Sequence, residues 1–326
     1  MTSLARFRRI AGTIITIVLM VGLIHFVNLS TSTSLQRALV DLGHVPIFAF
    51  IAYVLLKFMH SSHPETAEFP ELRDYLYAGL AVLLLAVISE ATQITSPGRS
   101  ASVADIFRDC TGGALTLLIS AAYLRSSTSK EQIHLRTLYL VVASVLLAVL
   151  LAPTAWVTAA LMNRSASWPT IVGSNYRLER VFAVAYQSDM RIVAVPSEWR
   201  IDNRERAYHV QLWTSQDSGV LSQELDHDWS KFKQACFEIT NPDNHPLRAR
   251  IKFGNHPMFF RSTSFYETPL SIGSGSRAVR CKSLKGLITK LPLEDYAAPA
   301  QFRSLAVLTS ESNEVRAFLL HRIWLQ

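Results

Sequence analysis

Long apolar runs crowd the first half of this chain and are missing from the second. A helix needs about 20 mainly apolar residues to cross the hydrocarbon core of a bilayer. Five segments approach that length, at about residues 10–29, 42–59, 75–92, 103–124 and 138–162. After Met162, apolar and charged residues alternate over short distances and no run is long enough to span. This asymmetry predicts a helical membrane domain over 1–162, a connector over 163–169 and a soluble domain over 170–326. The first run follows Arg6, Arg8 and Arg9, as a secretory signal would. Its apolar core is longer than a signal's, however, and Phe26-Val27-Asn28-Leu29-Ser30 offers no small-x-small cleavage site, so a retained span is expected.

Charge sets the expected orientation. With the N-terminus in the cytoplasm, Arg6, Arg8, Arg9, Lys57, Arg73, Arg125, Lys130 and Arg136 fall on the inside, and only Arg37 and Arg99 fall in outer loops. That bias is the one membrane insertion follows. Five spans then carry the C-terminal domain to the periplasm or cell surface. The net charge of +7 is divided between the halves: eleven Lys/Arg face nine Asp/Glu up to Met162, and 21 face 16 after it. Neither half is basic enough to point to nucleic acid, and the excess supports only a mild pull toward anionic glycans, lipids or phosphates. His60 and His63 are expected to be solvated in a cytoplasmic loop, and Cys110 to be a small packing residue.

Ionisable groups inside apolar spans are costly, roughly 2.5–3.5 kcal/mol each near a helix centre, and a chain that keeps them tends to use them. Here they fall at one expected rim. Asp41 and His44 open the second span, three residues apart and so on one helical face. Glu90 and Gln93 close the third. Pro97-Gly98 makes the turn, and Ser102 is placed to cap the fourth helix with Asp105 three residues on, as in a capping box. Asp105 and Asp109 follow with Arg108 between them. The free N–H groups of that helix start, with Arg99 just before it, form a candidate anion site. Gly112 and Gly113 would let another helix approach closely.

The pattern Asp41-x-x-His44, Glu90-x-x-Gln93, Arg99-x-x-Ser102-x-x-Asp105-x-x-x-Asp109-x-x-Gly112 resembles the VanZ-like family of small membrane proteins over roughly residues 10–125. Two positions depart from it: Asp109 stands where the family usually has Asn, and Thr116 where it often has a second Gly. The resemblance implies a cell-envelope protein, of a family associated with low-level resistance to one glycopeptide antibiotic. It implies no established reaction.

The remainder reads as an all-β sandwich of about seven or eight strands, jelly-roll-like. Leu247, Ala249, Ile251 and Phe253 share one face of a strictly alternating run, and Arg248, Arg250 and Lys252 share the other. Similar runs lie at 191–195, 208–213, 235–240, 279–284, 305–309 and 317–325, with turn signals between them. The order of features is loosely similar to carbohydrate-binding-type domains. Trp199, Trp213, Trp229, Phe259, Phe260 and Tyr266 are the aromatics that could stack on sugars, against a core role for most of them. Outside the cell Cys236 and Cys281 could bridge. Strand parity counts against it if Phe237 and Ile239, and likewise Val279, mark the core.

Three readings of the polar rim follow: a structural network between helices, a site for a lipid headgroup or other anionic envelope ligand, or a catalytic centre. In the last, Arg99 and the helix start would hold a phosphate, and His44 would act as general acid or base, oriented by Asp41 or Glu90. No Ser/His/Asp set, nucleotide loop or metal-ligand spacing is present, and no cofactor or metal is expected. The expected function is therefore a binding or accessory role toward an envelope saccharide or its lipid carrier, with an enzyme acting on a phosphorylated lipid as the alternative. A transporter is disfavoured, since five spans give no inverted repeat.

Overall fold

Five α-helices come first: α1 (Ser3–Phe26), α2 (Ser34–Ser61), α3 (Leu72–Gln93), α4 (Val103–Leu124) and α5 (Lys130–Ser167). The computed structural model describes residues 3–26, 33–61, 69–94, 102–124, 130–173, 175–213, 217–225, 227–256, 260, 262, 265–285, 302–309 and 315–326. The chain divides into a helical unit, Met1–Thr31 with Leu35–Ala155, and a second unit, Ser32–Ser34 with Trp156–Gln326.

By length and composition α2, α3 and α5 are apolar enough to cross a membrane. Among the described residues three helices thus meet the standard that five were expected to meet. The apolar stretch of α1, Ile10–Met20, is shorter, and α4 carries Asp105, Arg108 and Asp109 in its first two turns.

Helix α3 is built inside out relative to a helix in water. Its buried positions are Asp74, Ala78, Val82, Ala86, Ser89, Glu90 and Gln93, mostly one every three or four residues. Leu76, Leu80, Leu83, Leu84 and Ile88 are exposed. A helix on a water-soluble protein turns its large apolar residues inward. Small inward residues let helix backbones approach, the packing that lipid favours. The approach is tightest at α4. A Cβ added at Gly112 would stand 2.5 Å from the carbonyl oxygen of Val45 on α2, and one at Gly113 would stand 2.7 Å from Cγ1 of Val82 on α3. Consecutive glycines therefore serve both neighbours of α4.

Two helices run past their expected ends. His60 lies in the last turn of α2 rather than in a solvated loop, with Nδ1 3.8 Å from Oδ2 of Asp74 on α3. His63 lies outside the described residues. Residues 163–167, expected as connector, continue α5. The physical reason is Arg164, which is 3 % exposed. Its guanidinium donates to the carbonyls of Gln223 and Glu224 and to Oγ of Ser222, and lies 4.0 Å from the ring centre of Phe182. A charge buried at a helix end needs that many partners.

The second unit holds β1 (Thr170–Val172), the short α6 (Tyr176–Glu179), then β2 (Ala183–Tyr186), β3 (Ser188–Ala194), β4 (Arg206–Leu212), β5 (Ser218–Ser222), β6 (Gln234–Asn241), β7 (Leu247–Gly254), β8 (Phe265–Ile272), β9 (Ser276–Ser283), β10 (Ser304–Thr309) and β11 (Ala317–Leu325). One antiparallel sheet has the order β3-β4-β11-β6-β9, with β1 also on β11; the other has β2-β5-β10-β7-β8. Their inner faces share one core, in which Tyr208, Phe237, Ile239 and Phe318 of the first sheet meet Leu247, Ile251, Phe253 and Val307 of the second. Each such side chain contributes roughly 1.5–3 kcal/mol on burial. The alternation in β7 behaves as its sequence predicts: Leu247, Ala249, Ile251 and Phe253 are all buried. The expected seven or eight strands fall short because β1 and β2 are only three and four residues long, because β5 reads as a turn (Ser218, Gly219, Ser222) although every residue of it is buried, and because β8 contains Pro269.

The sequence-based argument against a Cys236–Cys281 bridge fails here. Cys236 pairs directly with Cys281 across β6 and β9, and the two form a disulfide. Val279 pairs with Glu238 and is 46 % exposed, so it marks the outer face and not the core. Once Val279 changes sides, both cysteines share that outer face.

Candidate functional site

Three helix ends meet in the helical unit. The start of α2 supplies Asp41 and His44, the end of α3 supplies Glu90 and Gln93, and the start of α4 supplies Asp105, Arg108 and Asp109, with Ser102 just before it. Antiparallel succession brings these ends to one side, and the hydrogen bonds show how they connect. Nδ1 of His44 lies 3.0 Å from Oδ1 of Asp109, joining α2 to α4. Arg108 reaches Asp41 at 3.1 Å and also pairs with Asp105 on its own helix. Nε2 of Gln93 donates to Oε1 of Glu90 at 2.7 Å, and the backbone N–H of Ser102 donates to Oε2 of the same carboxylate at 2.8 Å.

Two expectations change in this geometry. The carboxylate that holds His44 is Asp109, not Asp41 or Glu90. The N–H of Ser102 is taken by Glu90 from α3 rather than by Asp105 in a capping box; Asp105 turns to Arg108 instead, while the carbonyl of Ser102 accepts from the N–H groups of Asp105 and Ile106. Glu90 thus caps the start of α4 across helices, where a negative charge is favourable. Arg99 and the Pro97-Gly98 turn lie outside the described residues.

Burial is deepest at Asp109 (0 %), Ser89 (1 %) and Glu90 (2 %). Oδ2 of Asp109 and Oγ of Ser89 are buried without a hydrogen-bond partner among the described residues. An unsatisfied buried acceptor of this kind costs on the order of 1–3 kcal/mol unless a donor reaches it. The described part of the cluster holds four carboxylates (Asp41, Glu90, Asp105, Asp109) against one guanidinium and one imidazole. It is therefore rich in acceptors and poor in positive charge, and the anion contact expected here rests on Arg99. Ser89 was not singled out in the sequence; its place one residue before Glu90, in the inward row of α3, is the signal that points to it.

The β-sandwich sorts its aromatic candidates. Trp229 is fully buried, Tyr266 packs against the core and Trp199 packs beside Val195 and Ala207. Trp213 (53 %) and Phe260 (59 %) are exposed, and Phe259 lies outside the described residues. In the basic stripe, Arg250 is held by Asp217 at 2.6 Å and Glu267 at 3.2 Å, and Lys252 lies 3.6 Å from Glu267.

A second polar network stitches the six-stranded sheet. Arg277 donates to both Glu205 and Glu238, and Nε2 of His321 lies 2.8 Å from Oγ1 of Thr240. Burial pushes the Glu205 carboxyl up, but hydrogen bonds from Arg277 and the Ile201 N–H, with the charges of Arg277 and His321, bring it down to about 2. Burial, with the Arg277 charge behind it, lowers His321 below 6.5 against the opposing pull of Glu205 and Glu238.

No protein-family model and no curated protein matches the chain. Solved structures that match it over the β-sandwich include the family 11 carbohydrate-binding module of a cellulosomal cellulase from Clostridium thermocellum (14% identity, 44% of this chain and 86% of that one, TM-score 0.32). An exo-beta-agarase matches at 11% identity and TM-score 0.34, and the chain spans 22% of its length. A Clostridium thermocellum xylanase fragment with a carbohydrate-binding and a catalytic module, complexed with xylohexaose, matches at 12% identity over 48% of this chain and 28% of that one, with a TM-score of 0.33. Scores below 0.5 carry no argument for a shared ligand or site.

Proposed function

We propose that the chain is a VanZ-like integral membrane protein of a cell envelope, with five spans, the N-terminus in the cytoplasm and the β-sandwich outside. The bias of basic loop residues and the inside-out build of α3 support the insertion. The Cys236–Cys281 bridge suits an oxidising compartment. On this reading the polar ends of α2, α3 and α4 bind a lipid-linked saccharide. Sugar hydroxyls donate to the acceptor-rich carboxylates, and the carrier phosphate meets Arg99. The single observation that carries the reading is the pairing of His44 on α2 with Asp109 on α4, whose Oδ2 is buried and accepts from no described group.

The His44–Asp109 pair favours one alternative, a membrane enzyme acting on a phosphorylated lipid, because an imidazole held by a carboxylate is the geometry of a general base. Incubating the purified protein with a panel of lipid phosphates and lipid-linked disaccharides separates the two. The binding role predicts saturable retention with no released or transferred phosphate. Turnover that disappears in His44→Gln would establish the enzyme instead.

A further inference from the structure

We infer that the β-sandwich carries a separate binding site for an anionic saccharide, in a cleft where the edge strands of the two sheets run side by side. β8 ends the five-stranded sheet and β9 ends the six-stranded one, and the two edges come together. Nε of Arg280 on β9 donates to the carbonyl of Ser271 on β8 at 3.4 Å. The cleft has a volume of about 580 Å³ and draws Arg248, Arg250, Arg280 and Lys282 to its lining, a size that suits a small ligand or a few sugar units.

Three of the four cations in the cleft have no carboxylate partner among the described residues. Arg250 is already paired with Asp217 and Glu267. Arg248, Arg280 and Lys282 have no carboxylate partner among the described residues. On β9 this placement is unusual. Arg280 pairs with Phe237 and Lys282 with Ala235, both core residues, so the two cations occupy positions of inward parity at the open edge of the sandwich. Holding like charges together there is unfavourable without an anion between them.

Pro269 rules out one kind of ligand, an added peptide strand. It sits within β8, an edge strand, and removes a backbone donor there. A proline on an edge blocks strand addition, so a peptide cannot extend this sheet at that position. Recognition falls to side chains: guanidinium forks that take carboxylate, sulfate or phosphate in bidentate fashion, one ammonium and the Ser271 hydroxyl. Among the described residues no aromatic ring lines the cleft, so they offer a neutral sugar no stacking surface. Acidic groups spaced along a hydroxyl-rich chain fit this lining.

The site is independent of the helical cluster, and so is its test. The full chain in nanodiscs of zwitterionic lipid is titrated with a heparin-derived hexasaccharide, an oligogalacturonate hexamer and neutral maltohexaose. The two acidic hexasaccharides bind, the neutral one does not, and binding weakens as salt rises. Arg248→Ala, Arg280→Ala and Lys282→Gln each weaken it roughly three- to tenfold, while Arg204→Ala, in an exposed turn, leaves it unchanged. Circular dichroism shows each variant folded. Equal binding of maltohexaose, or cleft variants that are folded and bind as well as the parent, overturns the inference. So does binding of phosphatidylserine vesicles through the same three residues without binding of either acidic hexasaccharide, which would make the cleft a membrane contact. None of these outcomes depends on whether the helical cluster holds a lipid carrier.

Discussion

His44 on α2 and Asp109 on α4 are joined side chain to side chain at 3.0 Å, and Asp109 is fully buried. A link of this kind fixes the register of two helices more tightly than apolar packing in lipid does, because the alternative is an unsatisfied polar group. Asp109→Asn keeps an acceptor for the imidazole and is expected to be tolerated. Asp109→Ala removes it and is expected to cost about 1–3 kcal/mol. Thermal unfolding in micelles, compared between the two variants, checks this.

The consecutive glycines of α4 make unequal demands. A Cβ at Gly112 meets backbone, the Val45 carbonyl, whereas one at Gly113 meets the side chain of Val82. Both alanine variants are overpacked, at a cost of roughly 1–3 kcal/mol. Val82→Ala should rescue Gly113→Ala by opening the space. No side-chain change on α2 should rescue Gly112→Ala. Yields of folded protein by size exclusion report the difference.

Acid weakens the β-sandwich. Glu205 is held at about 2 in the fold against 4.5 ordinarily, so its contribution is complete above 4.5 and is lost as pH falls toward 2. His321 is lowered below 6.5, so the unfolded chain takes up a proton near 6.5 that the folded chain refuses, and stability drops as pH falls below that value. The two act in the same direction. Urea midpoints followed by tryptophan fluorescence should decline from pH 7 downward, and His321→Gln should flatten the first part of the decline. A midpoint that rises on acidification contradicts the assignment.

The disulfide closes a loop between residues 45 apart and fastens an edge strand. Cys236→Ser is expected to destabilise the β unit by about 2–5 kcal/mol. A reducing agent should produce the same shift in the parent and none in the variant.

The sequence made the helical ends legible because charge inside an apolar run stands out. Glu90, Gln93, Asp105 and Asp109 were found that way, and Gly112 and Gly113 by their lack of a side chain. The pairing between them was not legible. Spacing along one helix groups Asp41 with His44 and Ser102 with Asp105, but contacts across helices decide the partners, and Asp109 and Glu90 take those roles. In the β unit, β7 was plain from its alternation. β5 was hidden by Ser218, Gly219 and Ser222, whose burial comes from neighbouring strands and not from their own hydrophobicity. Val279 misled the reading of the cysteines because an edge strand can leave an apolar residue exposed.

That the polar ends of three helices make one ligand site is tested most directly by weighing what stays bound. Quantitative mass spectrometry of lipids and glycans co-purifying with the parent should be compared with His44→Gln on α2, Glu90→Gln on α3 and Asp109→Ala on α4, each shown to be folded. A shared site predicts that the same lipid-linked saccharide is lost from all three variants together. Full retention in all three, or loss confined to one helix, would contradict it.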